Sequence, residues 1–395
     1  MPSDPQHLAQ VRAALPAVRQ YAYLNAGTCG PLPQPSIDAM AAAAHDQAIH
    51  GRIRMEVLLH DERQRVTELR AAFARALGAD ADEIALARNT TDGINTAVWG
   101  QPWRAGEEVV VTDLEHEGGV MPVYLAVKKF GLKLRTLRLL DADPADYPGI
   151  VAAELSDNSR LLVISHVSWA NGALVPLKEV VVAAHAKGCR VAVDAAQSAG
   201  AVPLDLHDIG VDYYAAPGQK WLCGPEGIGA LYVRRDEQER LSPTYTGFFA
   251  LAMEENPHPW DCFGHMELAP DARRYESSSI YLPGMHGMLA SLRWLEEEVG
   301  WDWALARTAE LHRHARQSLS ALPMLKVFTP QAAAGLLHFT LPDGVDVEQI
   351  NDALVQRGIR IRTIPHMNCL RVSTGFWNTE AEIDELASTL REFLA

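Results

Sequence analysis

Three short stretches of the sequence place reactive side chains just after apolar runs, where a chain reversal would present them. In RVAVDAAQSAG, Asp194 closes such a run and Gln197 follows three residues on. A carboxylate ending a buried strand is costly unless a cation or a hydrogen-bond donor meets it. A protonated pyridine nitrogen would do so, with Gln197 in reach of a phenolic oxygen on the same ring. In APGQKWLCGPEGIGALYV, Lys220 stands among Gly218, Gly224, Gly227 and Gly229, where the backbone can turn tightly against a ligand. An amine partly shielded from water there loses basicity and becomes a nucleophile toward an aldehyde. In RNTTDGIN, Thr90, Thr91, Asp92 and Gly93 open a helical pattern, so hydroxyls and free N–H groups converge where a phosphate could sit. Singly, a helix cap, a satisfied aspartate and a solvated lysine would account for them. Their order and spacing together favour chemistry.

The elements that must position these loops follow from the pattern between them. Short apolar runs recur as EIALAR (83–88), EVVVTD (108–113), LLVISH (161–166), RVAVDAA (190–196), DYYAAP (212–217) and ALYVRR (230–235). They are continuous rather than alternating, which predicts strands buried on both faces. Helical patterns lie between them; VVVAAHAKG, for example, ends on Gly188, where a helix cap is expected. Strand and helix in alternation predict a mostly parallel α/β sheet, with ligands beyond the carboxyl ends of the strands. After residue 240 the texture changes to a long irregular connection rich in Pro, Gly and aromatics, of a length that is usually functional. A helix (LASLRWLEEEV), strands (GLLHFTL, IRIRTI, LRVST) and a last helix (TEAEIDELASTLREFL) then predict a smaller α+β lobe.

Composition excludes several classes. The 395 residues are 48% apolar and 22% charged, ordinary for a globular chain of two domains or lobes. The net charge of −15 argues against a nucleic-acid partner. No apolar run approaches the roughly 20 residues that span a bilayer, and the first residues lack the apolar core of a signal peptide. The five cysteines, Cys29, Cys189, Cys223, Cys262 and Cys369, have no CxxC spacing, so they read as reduced cytosolic thiols and give no metal site. A nucleotide-binding module fails for want of a GxGxxG or GxxxxGK[ST] pattern after a strand.

VDAAQSAGAVPLDLHDIGVDYY, with the GQKWLCGPEGIGALYV that follows it, resembles the cofactor signature of the class V aminotransferases, the family of cysteine desulfurases, cystine lyases, isopenicillin epimerases and kynureninases. The resemblance runs from YLNAGTCGPLP (23–33) to CLRVSTGFWNTEAEID (369–384). It implies pyridoxal 5'-phosphate (PLP) as cofactor and the fold type I, aspartate-aminotransferase-like architecture: a large domain over 21–275, and a small domain from 1–20 and 276–395. Lys220 resembles the Schiff-base lysine, Asp194 the partner of the pyridinium, and Gln197 the residue facing the ring hydroxyl. Thr91 resembles a phosphate ligand, with Thr90 and Gly93 beside it. His116, in DLEHEGGVMP, sits where the family stacks a histidine on the ring, and Arg371 where an arginine clamps the substrate carboxylate, helped by the loop holding Asn25, Gly27 and Thr28. Ser278 or Ser279 resembles a hydroxyl reaching the phosphate of a neighbouring subunit, which implies a homodimer with shared sites.

Departures from the family pattern narrow the reaction. Desulfurases carry a nucleophilic Cys on a mobile loop, whereas IRIRTIPHMNCLRVS turns directly from strand to strand, with Cys369 two residues before Arg371. Pro217 and Gln219 replace a Ser and a His ahead of the lysine, leaving Gln219 among the residues expected at the cofactor. Trp169 stands where desulfurases have Asn, with Asn171 beyond it, and both are expected beside the substrate. KWLCGPEG and YLNAGTCGPLP look most like the cystine C–S lyases, which cleave Cβ–S without an enzyme persulfide. Epimerase and aminotransferase remain alternatives. A non-catalytic PLP-fold sensor or scaffold is disfavoured, because it would not require Lys220, Asp194 and Gln197 together. The expectation is therefore a cytoplasmic enzyme acting on a small amino acid.

Overall fold

A computed structural model describes residues 4–51, 62–278 and 280–394. In chain order its strands are β1 (Ala22–Tyr23), β2 (Ile84–Ala87), β3 (Glu108–Thr112), β4 (Lys133–Leu137), β5 (Ser159–Ser165), β6 (Arg190–Asp194), β7 (Tyr213–Pro217), β8 (Gly229–Val233), β9 (Lys326–Val327), β10 (Leu336–Thr340), β11 (Ile359–Arg360), β12 (Arg362–Ile364) and β13 (Cys369–Ser373). Seven of them form one sheet in the order β2-β8-β7-β6-β5-β3-β4. All neighbours in it are parallel except β8, which runs antiparallel to both β2 and β7.

Alternate residues of the central strands feed two separate cores. Leu162, Ile164, Val191, Val193, Tyr214 and Ala216 face one, while Leu161, Val163, Ala192, Tyr213 and Ala215 face the other. Helices Thr90–Trp99 and Glu117–Phe130 cover the second face, and helices Tyr147–Glu154 and Leu177–His185 the first. This is why the runs read as unbroken apolar sequence: neither face meets water. β4 escaped that reading because it is the sheet's edge; Lys133 and Leu134 are exposed there, and charge on an edge strand blocks further pairing.

A second, antiparallel sheet has the order β12-β13-β10-β9 and packs on helices Trp301–Ser320 and Glu380–Leu394. β1 pairs in parallel with β11, and Ser373 N–H donates to Leu24 O at 2.8 Å. The N-terminal segment is thereby laid along the small sheet, which carries residues 25–28 to the end of β13. The connection after residue 240 holds only short turns, at Phe248–Ala250 and Ala272–Tyr275, and two isolated bridges. Phe248, Phe249, Trp260 and Phe263 stand exposed along it. The expected helix after it begins at Leu282 and finishes as a π turn, Trp294–Val299. No described helix is long and apolar enough to cross a membrane.

Candidate active site

The parallel strands end together, β3 at Thr112, β5 at Ser165, β6 at Asp194 and β7 at Pro217. Asp194 is buried, and its Oδ1 accepts the Ala196 N–H at 2.8 Å. Burial pushes its carboxyl up, opposed by the Ala196 N–H and by the nearby Lys220 and His116. Lys220 follows β7 in a turn compressed against its surroundings: a Cβ on Gly30 would lie 2.0 Å from Lys220 O, and one on Gly224 2.2 Å from Met288 Sδ. Burial pushes the Lys220 amine down to about 8, Arg371 acts in the same direction, and Asp194 opposes. No hydrogen bond or ion pair among the described residues engages its Nζ.

His116 caps the helix Glu117–Phe130, its Nδ1 accepting the Gly118 N–H at 3.0 Å. A backbone N–H only donates, so Nδ1 is bare and the ring proton sits on Nε2. Burial pushes this imidazole down. Its ring meets Trp169 edge to face, centroids 4.9 Å apart, and His338 Nε2 lies 2.8 Å from the Trp169 carbonyl, fixing that loop from β10. Thr91 Oγ1 closes in on the same turn, where a Cβ on Gly118 would come within 2.6 Å of it. Asn89 caps Asp92 N–H and takes Gly93 N–H on its carbonyl. Helix geometry leaves the Thr90 and Thr91 amides without intrahelical acceptors. Thr90 Oγ1 is buried with no partner.

The opposite wall is built by the small sheet. Arg371 is buried on β13 with no ion-pair partner among the described residues; its Nη2 donates to Thr28 Oγ1 at 3.3 Å and its Nε is unpaired. Burial pushes this guanidinium down to about 10, helped by Arg362. Thr28 in turn donates to Asn25 Oδ1 at 2.8 Å. Gly27 is small because a Cβ there would lie 2.8 Å from Leu336 Cδ2 and 3.0 Å from Arg371 Nη2. Between the two walls lies a cleft of about 260 Å³ lined by Gly27, Thr28, His116, Glu117, Trp169, Gln197, Lys220, Arg362–Pro365 and Arg371.

Several expected roles change. Gln197 lines the cleft, but its amide is largely committed, Nε2 to Gly27 O at 2.9 Å and Oε1 to Trp221 Nε1 at 3.0 Å, so one N–H remains for a ring oxygen. Gly93 N–H is spent on Asn89 O, and its bare Cα lets the helix approach β7, where a Cβ would lie 2.7 Å from Ala215 Cβ. Asn171 closes the 168–173 turn through Ala173 N–H at 3.0 Å and does not line the cleft. Gln219 gives its carbonyl to Gly30 N–H while its Oε1 stays buried and unpaired. Ser278 lines a different cavity, with Arg88, Asp92 and Tyr245, and Ser279 lies outside the described residues. Two residues went unread in the sequence. Arg362, the cross-strand partner of Arg371, was signalled only by the alternation in IRIRTI; Glu115 was hidden as one more acidic residue beside His116.

A family model described as aminotransferase class-V matches residues 22–386. The chain belongs to the class-V aminotransferases. Isopenicillin N epimerase of Streptomyces clavuligerus is 31% identical to this class-V chain over 386 residues, 93% of each protein. A probable cysteine desulfurase of Methanothermobacter thermautotrophicus is 30% identical, over 97% of each. Among solved structures, a complex of the cystine C–S lyase C-DES with its reaction product cysteine persulfide superposes with a TM-score of 0.89 at 28% identity, covering 95% of this chain and 98% of that one. A C-DES mutant with glycine covalently linked to the PLP cofactor gives 0.90 at 28%, covering 96% and 98%. This class-V protein is therefore a PLP-dependent enzyme of the fold type I class. Its own residues fit that group: an unpaired amine at the cleft, a buried carboxylate near it, and an orphaned hydroxyl at the start of a helix packed on β6 and β7.

Proposed function

We infer that this enzyme cleaves the Cβ–S bond of a cystine-type amino acid by β-elimination, without an enzyme-bound persulfide. The observation that carries this reading is the pair Arg371 and Arg362, cross-strand neighbours that both line the cleft. A buried guanidinium lacking a counter-ion calls for an anion. Two side by side suit a substrate with two carboxylates, which L-cystine supplies. The missing nucleophile agrees: the turn Pro365–Asn368 contains no cysteine, and Cys369 is fully buried, its thiol pushed up to about 11 by burial. Cys29 points its thiol at Glu226, 3.6 Å away, and burial pushes it up as well.

PLP would be held by Lys220, Asp194 and the Thr90–Thr91 helix start, and would supply the sink for electrons released at Cα. Arg371 binds the α-carboxylate bidentately, with Thr28 and Gly27 setting its height. Asp194 would supply the negative charge that keeps the ring nitrogen protonated. Lys220 Nζ, with its basicity lowered, takes the Cα proton as general base. His116, carrying its proton on Nε2, is placed to donate a hydrogen bond to the departing sulfur, which leaves as an anion, and Trp169 shields that side from water. The balance is an elimination: the Cα–H pair becomes the Cα–Cβ double bond, and the Cβ–S pair leaves with sulfur. The enamine then takes up water to give pyruvate and ammonia.

The same reading includes a homodimer, supported by the exposed aromatics Phe248, Phe249, Trp260 and Phe263 along the connection that carries Ser278. The experiment is incubation of the holoenzyme with L-cystine, assaying pyruvate and sulfane sulfur together. Both are expected in equal amounts. Recovery of cystine with solvent deuterium at Cα and no pyruvate would replace elimination by epimerisation.

A further inference from the structure

The cleft carries one acid that the mechanism leaves idle. Glu117 opens the helix Glu117–Phe130 directly after His116, and it is the one carboxylate among the described residues lining the cleft. Its side chain is 67% exposed, and its Oε2 lies 3.5 Å from His116 Nε2. No hydrogen bond and no Lys or Arg pair among the described residues engages it. Exposure sorts the charged lining into two levels. Arg371 is buried at the inner level, whereas Glu117 and Arg362 are exposed and stand at the mouth.

An acid in the first turn of a helix is favourable there whatever it faces, so its position on the helix assigns it no role. Charge does. L-Cystine brings two carboxylates and two ammonium groups, and one of the ammonium groups is consumed at the cofactor. The charges left over are two negative and one positive. They match, sign for sign, Arg371, Arg362 and Glu117, all of which line the cleft. Without Glu117, an ammonium group brought to the mouth would meet the like charge of Arg362 and be repelled. We propose that Glu117 is a specificity-determining residue that pairs with the ammonium group on the far half of a diamino dicarboxylate substrate, beside the carboxylate held by Arg362. The placement agrees: His116 Nε2 faces the departing sulfur, the far ammonium lies a few bonds beyond that sulfur, and Glu117 Oε2 is next to the same nitrogen. The inference rests on the reading of a cystine-type substrate.

The test uses ligands that cannot be cleaved, so that recognition is read apart from bond breaking. Diaminosuberate is the carbon isostere of L-cystine, with an ethylene link in place of the disulfide. Aminosuberate is the same chain without the far amine. Their Kd values for the holoenzyme are measured by calorimetry. Diaminosuberate is expected to bind about fivefold more tightly, the upper range for a pair of exposed charges. Glu117→Gln should abolish that preference, and Glu117→Lys should reverse it. Loss of a helix-stabilising acid alone would weaken both ligands alike and leave their ratio in place. Equal binding of the two by the parent enzyme, or a preference that survives in Glu117→Gln, overturns the proposal. So does a preference for diaminosuberate retained in Glu117→Lys, which decides the matter if Glu117→Gln fails to fold. Pyruvate assayed from L-cystine in parallel keeps the two readings apart. A preference that depends on Glu117, with no pyruvate formed, removes Cβ–S cleavage and leaves this assignment standing. Pyruvate without the preference removes this assignment alone.

Discussion

The two walls of the cleft solve opposite electrostatic problems. The wall at the strand ends of the large sheet carries carboxyls, Asp194 and Glu115, each tied by hydrogen bonds to neighbouring backbone or hydroxyls. The wall from the small sheet carries guanidiniums, Arg371 and Arg362, with donors left unspent. The first holds its carboxyls by bonds already made and suits a positively charged ring nitrogen; the second turns unspent donors toward an anion. The difference teaches where specificity resides. The groups proposed to hold the cofactor are fixed by strands buried on both faces, whereas those proposed to choose the substrate stand on strands of the small sheet, a turn and an N-terminal loop.

Removing the centre of the first wall should cost most. Lys220→Ala deletes the proposed general base and cofactor anchor, so turnover should fall by at least about 10³-fold, within the range of positioned acid–base groups, and the cofactor's visible band should disappear. In the parent enzyme the base must be unprotonated, so kcat should rise with pH toward a plateau above about 8, the direction set by the lowered Lys220 amine. A pH-independent kcat would show that proton abstraction at Cα does not limit the rate.

The second wall should yield smaller and more selective effects. Arg371→Gln removes a buried charge contact of about 2–5 kcal/mol, so kcat/KM should drop about 10²-fold or more for every amino acid while the cofactor spectrum stays unchanged. Arg362 is exposed, so Arg362→Gln should cost only about tenfold, and only for substrates with a second carboxylate. Equal losses for L-cystine and for S-methylcysteine would remove the argument for a two-carboxylate substrate.

What the sequence disclosed follows the same division. The large sheet was legible because its strands are unbroken apolar runs, with Asp194 closing one of them and Lys220 three residues beyond another. β4 was not, since an edge strand carries charge. The packing of Gly93 on β7 and the turn that Asn171 closes were not legible, because each depends on a contact rather than on the local pattern. Arg362 and Glu115 were missed for a different reason: each gains meaning only from a partner far along the chain, Arg371 across a strand pair and Ser165 across the sheet. The exposed aromatics of the 240–280 connection show in composition, but nothing local says what covers them.

The smallest expected effect tests how the two walls are joined. Thr28 Oγ1 accepts from Arg371 Nη2 at 3.3 Å and donates to Asn25 Oδ1 at 2.8 Å, in a loop whose Gly27 carbonyl is held by Gln197 from the large sheet. Thr28→Val keeps the shape and removes the hydroxyl. A long hydrogen bond to a charged group, already deprived of its counter-ion, contributes about 1 kcal/mol, so KM should rise about fivefold. Because the substrate carboxylate supplies Arg371 with better acceptors once bound, kcat should stay within about twofold, and the cofactor band should not move. A fall in kcat with KM unchanged would mean that the loop acts on the transition state, and that the cofactor wall and the substrate wall are not as separable as their hydrogen bonds imply.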